Sequence, residues 1–243
     1  SHCLVAMYVL KYIRLPFDFD VPLLQQEVNR LARQHWQLHY QIRHYEGNWS
    51  ALPLRSVDGR SDDIFISPLA NTEYKDTAIL QKAPYLQQVL SVFQCPLLAV
   101  RLLKLEAGAI IKEHKDADLA FEKGEIRIHI PVQTNNEVDF YLDKERMQLQ
   151  DGECWYMNFN LPHSIYNKSN MDRVHLVIDA VVNDWVKELF QQPGLLRKET
   201  EEPGHDEETK RKIIASLRQM NTETSNRLAD EMSEGLSEEA GIN

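Results

Sequence analysis

From Leu97 onward, apolar residues come in short runs separated by turn signals. The runs are residues 97–105, 110–114, 126–132, 138–142, 153–158, 163–166 and 174–182; turns fall at Ala107-Gly108, Lys123-Gly124, Thr134-Asn135-Asn136, Asp151-Gly152 and residues 167–172. Many short strands at this spacing predict an all-β barrel or sandwich. The first hundred residues differ in texture. Residues 4–15 read as a strand. Val21, Leu24, Val28 and Leu31 recur near helical spacing behind a capping Asp20 and predict a helix to about Gln34. An apolar run at 51–57 ends in an Asp58-Gly59 turn, and residues 77–93 have helical character interrupted at Pro84. These helices would cover one sheet. After Gln191-Gln192-Pro193-Gly194 and a charged stretch at 199–205, residues 207–232 are helical in composition, with Ile213, Ile214, Leu217 and Met220 as a thin apolar stripe. The expected organisation is therefore one domain over residues 1–192, with an N-terminal helical cover. Residues 193–243 form a linker and an acidic helical C-terminal appendage.

Composition narrows the class without changing this outline. Of 243 residues, 43% are hydrophobic and 26% charged, ordinary for a globular domain. No apolar run approaches the roughly 20 residues that span a bilayer. The apolar stretch at 3–10 lacks a basic leader and reads as a buried strand, so no membrane association and a cytoplasmic location are expected. Cys3, Cys95 and Cys154 are far apart and form no C-x-x-C, which predicts free thiols in a reducing compartment rather than disulfides or a zinc knuckle. The net charge of −10 is uneven: residues 199–243 hold 12 acids and 5 bases, net −7, leaving 25 acids and 22 bases, net −3, for the rest. A nearly neutral body has no basic face for nucleic acid.

The candidate chemistry begins at His114-Lys115-Asp116. On a strand, positions i and i+2 share a face, which sets an imidazole and a carboxylate side by side. Alone this is a weak signal, since a surface ion pair has the same pattern. His163, opening a later strand, completes two histidines and one carboxylate. Such a facial triad holds Fe(II) and leaves positions open for a bidentate 2-oxo acid and O₂, although three protein ligands also suit zinc. Arg173, ten residues after His163, would return near the metal if residues 163–166 and 173–180 form a hairpin. A guanidinium inside a barrel requires an anion, and it pairs bidentately with carboxylates. The distal carboxylate of 2-oxoglutarate fits. Two strands also repeat Arg-x-His against an aliphatic face: Arg127 and His129 opposite Ile126, Ile128 and Ile130, and Arg173 and His175 opposite Val174, Leu176 and Ile178. In a common sandwich the aliphatic face is core and the polar one is solvated. A double-stranded β-helix reverses this, with a polar interior and an aliphatic outer face beneath helices.

Here the sequence resembles the aspartyl/asparaginyl β-hydroxylase family, which includes bacterial free-proline hydroxylases. The matching residues are His114-x-Asp116, Arg127-Ile128-His129-Ile130-Pro131, Asp151-Gly152-Glu153-Cys154-Trp155, and His163 followed by Arg173 in Arg-Val-His-Leu-Val-Ile-Asp; together they span about Trp49 to Trp185. The resemblance implies a cupin-like jelly roll, the double-stranded β-helix. It further implies Fe(II), with 2-oxoglutarate and O₂ as cosubstrates. It makes His114, Asp116 and His163 the metal ligands and the catalytic centre, Arg173 the main cosubstrate anchor, and Arg127 and His129 its helpers. Animal peptidyl aspartyl hydroxylases have Gly in place of the carboxylate ligand; Asp116 favours the free-proline branch.

The expected function is hydroxylation of an amino acid, free and proline-like. Trp49, Arg55 and Trp155 are candidate substrate contacts, with Arg55 offered to a substrate carboxylate. Alternatives are a peptidyl aspartyl/asparaginyl hydroxylase acting on a residue of a protein, and a non-catalytic cupin-like module that binds metal or ligand. A zinc hydrolase lacks an evident general base beside the triad and leaves the arginines without an anion.

Overall fold

The computed structural model describes residues 8–35, 37–38, 45–46, 49–61, 73–201 and 207–234. The strands are β1 (Tyr8–Arg14), β2 (Gln37–Leu38), β3 (Tyr45–Glu46), β4 (Trp49–Val57), β5 (Tyr74–Asp76), β6 (Leu97–Leu105), β7 (Ile110–His114), β8 (Glu125–Gln133), β9 (Val138–Leu142), β10 (Glu145–Met147), β11 (Trp155–Met157), β12 (His163–Asn167), β13 (Arg173–Val181) and β14 (Arg197–Glu201). The helices are α1 (Val21–His35), α2 (Ala78–Gln81), α3 (Pro84–Ser91), α4 (Asp184–Phe190), α5 (Glu207–Met220) and α6 (Glu223–Glu234).

Two sheets face each other. One runs β14-β1-β11-β8-β13-β6-β4-β2, with β5 on β4; the other runs β10-β9-β12-β7-β3. From β6 onward the chain steps between the sheets: β6, β8, β11 and β13 lie in the first, β7, β9, β10 and β12 in the second. This is the jelly-roll winding of a double-stranded β-helix. The expected hairpin between residues 163–166 and 173–180 does not form. β12 pairs with β7 and β9, while β13 pairs with β6 and β8, so the turn between them crosses from sheet to sheet. Arg173 therefore opens β13 at the end of the barrel away from His163.

The first sheet separates two apolar clusters. Its outer face supplies Leu52, Leu54, Val100, Leu102, Ile126, Ile128, Ile130, Leu176 and Ile178, packed with Leu24, Val28 and Leu31 of α1 and with apolar residues of α2, α3 and α4. The inner cluster contains Trp49, Leu105, Phe140, Leu142, Trp155, Met157, Phe159 and Ile165. Aliphatic residues thus face the helices, and Arg127, His129, Arg173 and His175 take the inward positions, because strand side chains alternate. The cover is built by local signals. Asp20 Oδ1 accepts from Leu23 N at 3.0 Å at the start of α1, and Thr77 Oγ1 accepts from Leu80 N at 3.3 Å at the start of α2. Buried Glu27 accepts from Tyr85 N and Leu86 N, tying α1 to the first turn of α3.

Residues 8–200 form one compact unit and residues 201–234, as far as they are described, belong to a second. The stretch after Gln192, expected as linker, contains β14, which pairs with β1. The single expected C-terminal helix is two, α5 and α6, packed on one another. Asn221 at φ 48° breaks them, and Thr222 caps the second by reciprocal hydrogen bonds with Ser225 of 3.0 Å each. In the stripe expected there Ile214 is buried but Met220 is exposed. Residues 4–7 of the expected first strand lie outside the described residues. Among the described residues no helix is long and apolar enough to cross a membrane.

Candidate metal centre

β7 ends at His114 and β12 begins at His163, and the two residues are direct cross-strand partners. Their rings sit 4.3 Å apart between centroids. The pairing of β7 with β12 shifts register between His163 and Ile165, an irregularity that re-aims a side chain at a strand end. Asp116 is not on the strand. It stands in the loop after β7, so simple alternation does not bring it beside His114. Two hydrogen bonds do: Asp116 N donates to Phe159 O at 2.9 Å, and Asn160 Nδ2 donates to Asp116 O at 3.1 Å. The turn before His163 thereby carries Asp116 to both histidines.

The donor atoms converge. Ligand atoms of His114, Asp116 and His163 all lie within 4.8 Å of one another. His114 Nε2 is 3.4 Å from Asp116 Oδ1, and His163 Nε2 is 3.6 Å from Asp116 Oδ2. Both rings are oriented by backbone carbonyls, which can only accept: His114 Nδ1 donates to Lys112 O at 2.7 Å, and His163 Nδ1 to Leu161 O at 2.9 Å. In the neutral rings this leaves the Nε2 lone pairs for a metal, the outer-shell arrangement of metal-binding histidines. The contact with Asp116 raises the His114 pKa above its ordinary value, opposed by burial and aided by the Lys112 carbonyl. For Asp116, burial is the largest single influence and pushes upward. The contacts with His114 and His163 and the charge of Arg127 together outweigh it and hold the carboxyl well below the usual carboxylate range. An ionised carboxylate and two imidazoles are a sound donor set for a divalent first-row metal.

Arg127, expected among the cosubstrate contacts, reaches the candidate metal ligand Asp116. Its Nε and Nη2 donate to the two oxygens of Asp179 at 2.7 and 3.0 Å, and its Nη1 donates to Asp116 Oδ2 at 3.0 Å. Arg101 Nη2 is also 3.8 Å from Asp179 Oδ2. Asp179, at 1% exposure, received no role from the sequence. The available signal was an acid on the inner face of an aliphatic strand, six residues after Arg173.

Deeper in the barrel Arg173 Nη2 donates to His175 Nδ1 at 2.9 Å, and the guanidinium lies 5.9 Å from the Phe140 ring centre. Since His175 Nδ1 accepts, His129 Nδ1, 2.8 Å away, must donate to it. Both imidazoles are held well below their ordinary pKa, first by burial and then by the Arg173 charge, so both are neutral. The His129 ring lies tilted 4.9 Å from Phe159, whose ring is edge-on to His163 at 4.7 Å. An aromatic wall thus joins the Arg173 end to the metal ligands.

The three candidate substrate residues separate. Trp155 pairs with His129 across β11 and β8 and faces the interior at 5% exposure; among the described residues its indole N–H has no partner. Trp49 is also interior, on the Leu105 rung that continues to Arg173. Arg55 is not brought to this cluster. Its guanidinium bonds to Asp76 at 2.6 Å and to the carbonyls of Tyr74 and Leu97, because β5 folds back along β4 at the sheet edge.

The family model for aspartyl/asparaginyl β-hydroxylases matches residues 19–182. An L-proline cis-4-hydroxylase of Rhizobium meliloti (strain 1021) is 29% identical over 136 residues, 55% of this chain and 48% of that protein. An L-proline cis-3-hydroxylase of a Streptomyces species is 25% identical over 136 residues, 55% of this chain and 47% of that protein. The chain thus spans about half the length of the curated relatives it matches. Among solved structures, a 2-oxoglutarate–Fe(II) oxygenase family protein from Burkholderia pseudomallei matches at TM-score 0.44 and 10% identity, over 65% of this chain and 81% of that one. A non-heme monooxygenase in a nickel complex matches at TM-score 0.44 and 11% identity, over 72% and 74%. The matched segment holds every residue from the capping of α1 through His114, Asp116, His163 and Arg173, and on that match the chain belongs to the aspartyl/asparaginyl β-hydroxylase family.

Proposed function

We propose that this chain is an Fe(II)- and 2-oxoglutarate-dependent dioxygenase that hydroxylates a free, proline-like amino acid. The observation that carries this is the convergence of two backbone-oriented Nε2 atoms on the Asp116 carboxylate at one end of a jelly-roll interior. His114, Asp116 and His163 would hold the iron. When bound, the iron with its cosubstrates would supply oxidation of a substrate C–H bond, coupled to decarboxylation of the 2-oxo acid. Arg173 would take the distal carboxylate of 2-oxoglutarate through its planar fork. His129 would stand between that anchor and the metal, neutral and with its Nε2 lone pair unprotonated. Arg127 supports Asp116 rather than the cosubstrate. Phe140 and Phe159 exclude water from the space between. Trp155 offers a buried N–H donor to a polar group of the substrate, and Trp49 closes the Arg173 end. The similarity to proline hydroxylases supports a small amino acid, and the presence of Asp116 supports the same branch. We place the activity in the cytoplasm, where the free thiols Cys95 and Cys154 stay reduced.

The test is anaerobic addition of Fe(II) and then 2-oxoglutarate, read by the visible metal-to-ligand charge-transfer band. The band should appear, and should be lost in Asp116→Ala. Oxygen and free proline should then give succinate and hydroxyproline. Metal binding without the band would leave only a cupin-like binding module.

A further inference from the structure

We propose that Asp179 is a positioning residue for the metal centre: acting through Arg127, it fixes the Asp116 carboxylate so that one oxygen is withheld from the metal. The proposal deepens the function above and rests on its metal site. Asp179 and Arg127 are direct cross-strand partners on the inner faces of β13 and β8. The Nε and Nη2 edge of the guanidinium spans both oxygens of Asp179, at 2.7 and 3.0 Å. That commits the bidentate edge of Arg127. Its Nη1 points the other way and donates to Asp116 Oδ2 at 3.0 Å. Asp116 Oδ1 lies 3.4 Å from His114 Nε2, and Oδ2, held by Arg127, lies 3.6 Å from His163 Nε2.

The consequence concerns coordination number. A facial triad needs one oxygen from its carboxylate, leaving three positions for a bidentate 2-oxo acid and O₂. A carboxylate free to rotate could chelate with both oxygens and fill one of them. The hydrogen bond from Arg127 takes one lone pair of Oδ2 and opposes that rotation. Without Asp179, the bidentate edge of Arg127 would be free to turn onto Asp116 and draw the carboxylate off the metal. The cluster that gathers the ligands contains His114, Asp116 and His163, and the guanidinium of Arg127 links Asp179 to it. A buried acid in the middle of an aliphatic strand is costly unless paired, and here its pairing serves the adjoining ligand.

The experiment titrates the purified chain with Co(II), followed by calorimetry and by the visible ligand-field absorption, for wild type, Asp179→Asn, Arg127→Lys, Arg127→Gln and the double variant Asp179→Asn/Arg127→Gln. Asp179→Asn should weaken Co(II) binding about 10–100-fold, the usual cost of an outer-shell partner, and alter the ligand-field spectrum. Arg127→Lys keeps the charge but not the fork and should do the same. In the Arg127→Gln background, adding Asp179→Asn should cost nothing more, because the intermediary is gone. Equal losses in both backgrounds, with an unchanged spectrum, would mean a structural role only and overturn the proposal. If circular dichroism shows Asp179→Asn unfolded, Arg127→Lys decides alone: wild-type affinity and spectrum in that variant overturn it. A wild-type chain that takes no Co(II) overturns the metal-centre reading and this proposal together; a wild type that binds while its variants match it overturns this proposal only.

Discussion

Arg173, buried inside the barrel, and Asp116, half-buried in the loop after β7, answer to different ligands. Arg173 donates to a neutral imidazole and stacks near Phe140, at 2% exposure, on the strand whose other end carries Asp179. Arg173→Ala should therefore raise the 2-oxoglutarate concentration needed for half-formation of the charge-transfer band by roughly 10–100-fold, the worth of a charge-assisted contact. Metal affinity, measured by Co(II) titration, should stay at the wild-type value. His114→Ala or His163→Ala should abolish metal binding while the far-ultraviolet dichroism remains native. The ligand residues were legible because few residue types can bind a metal and their strand positions restrict the choice. The partner of Arg127 was not. A guanidinium reaches several Å in any direction, and only packing shows that it turns to Asp116 and Asp179. Arg55 shows the same limit, taken up by Asp76 and two carbonyls where a substrate carboxylate was expected.

At the scale of elements, β8 and β13 are the pair that matters, each with an aliphatic outer face and a polar inner one. Their buried His129 and His175 give a pH dependence whose sign is fixed. Both have folded pKa values well below the ordinary 6.5, burial being the main cause, so the unfolded chain binds protons there and the folded chain does not. Their contribution is fully present above pH 6.5 and is lost as pH falls below it, at up to ~1.4 kcal/mol per pH unit for each histidine. Urea midpoints at pH 7.5 and 5.5 should show this loss, and His175→Gln should remove about half of it. A second element-level prediction concerns the turn before β11. Gly152 sits at φ 80°, and a Cβ there would lie 2.8 Å from Phe19 O and 2.7 Å from a methyl of Val21. Gly152→Ala should destabilise the barrel by about 1–3 kcal/mol in chemical denaturation. Most strands were visible as apolar runs. β2, β3, β5, β10 and β14 were not; Glu145–Met147 is three residues long with two charges, and Arg197–Glu201 is polar throughout. β10 exists because it folds back on β9 through the Asp143-Lys144 turn, both residues at positive φ, and β14 because β1, far away in sequence, offers it hydrogen bonds.

At the scale of the molecule, the compact unit that holds the metal ligands ends at Thr200, after most of β14. Truncation after Glu201 should leave Co(II) affinity unchanged, whereas truncation after Gln192, which removes β14 from the edge beside β1, should lower the thermal midpoint by several degrees. Calorimetry of the two truncated chains checks both. The sequence by itself determined the fold class, the helical cover and the three candidate metal ligands. Alternation of aliphatic and polar residues is a local property, and so is the chemistry of imidazole and carboxylate. Only the tertiary structure decided how those ligands meet. Asp116 arrives through a loop pinned to the 158–160 turn, and β12 and β13 lie in opposite sheets rather than in a hairpin. It also decided that Arg127 answers to Asp179. These outcomes depend on which strands pair across the barrel, and that pairing is chosen by the simultaneous burial of two apolar clusters, which no single segment of the chain contains.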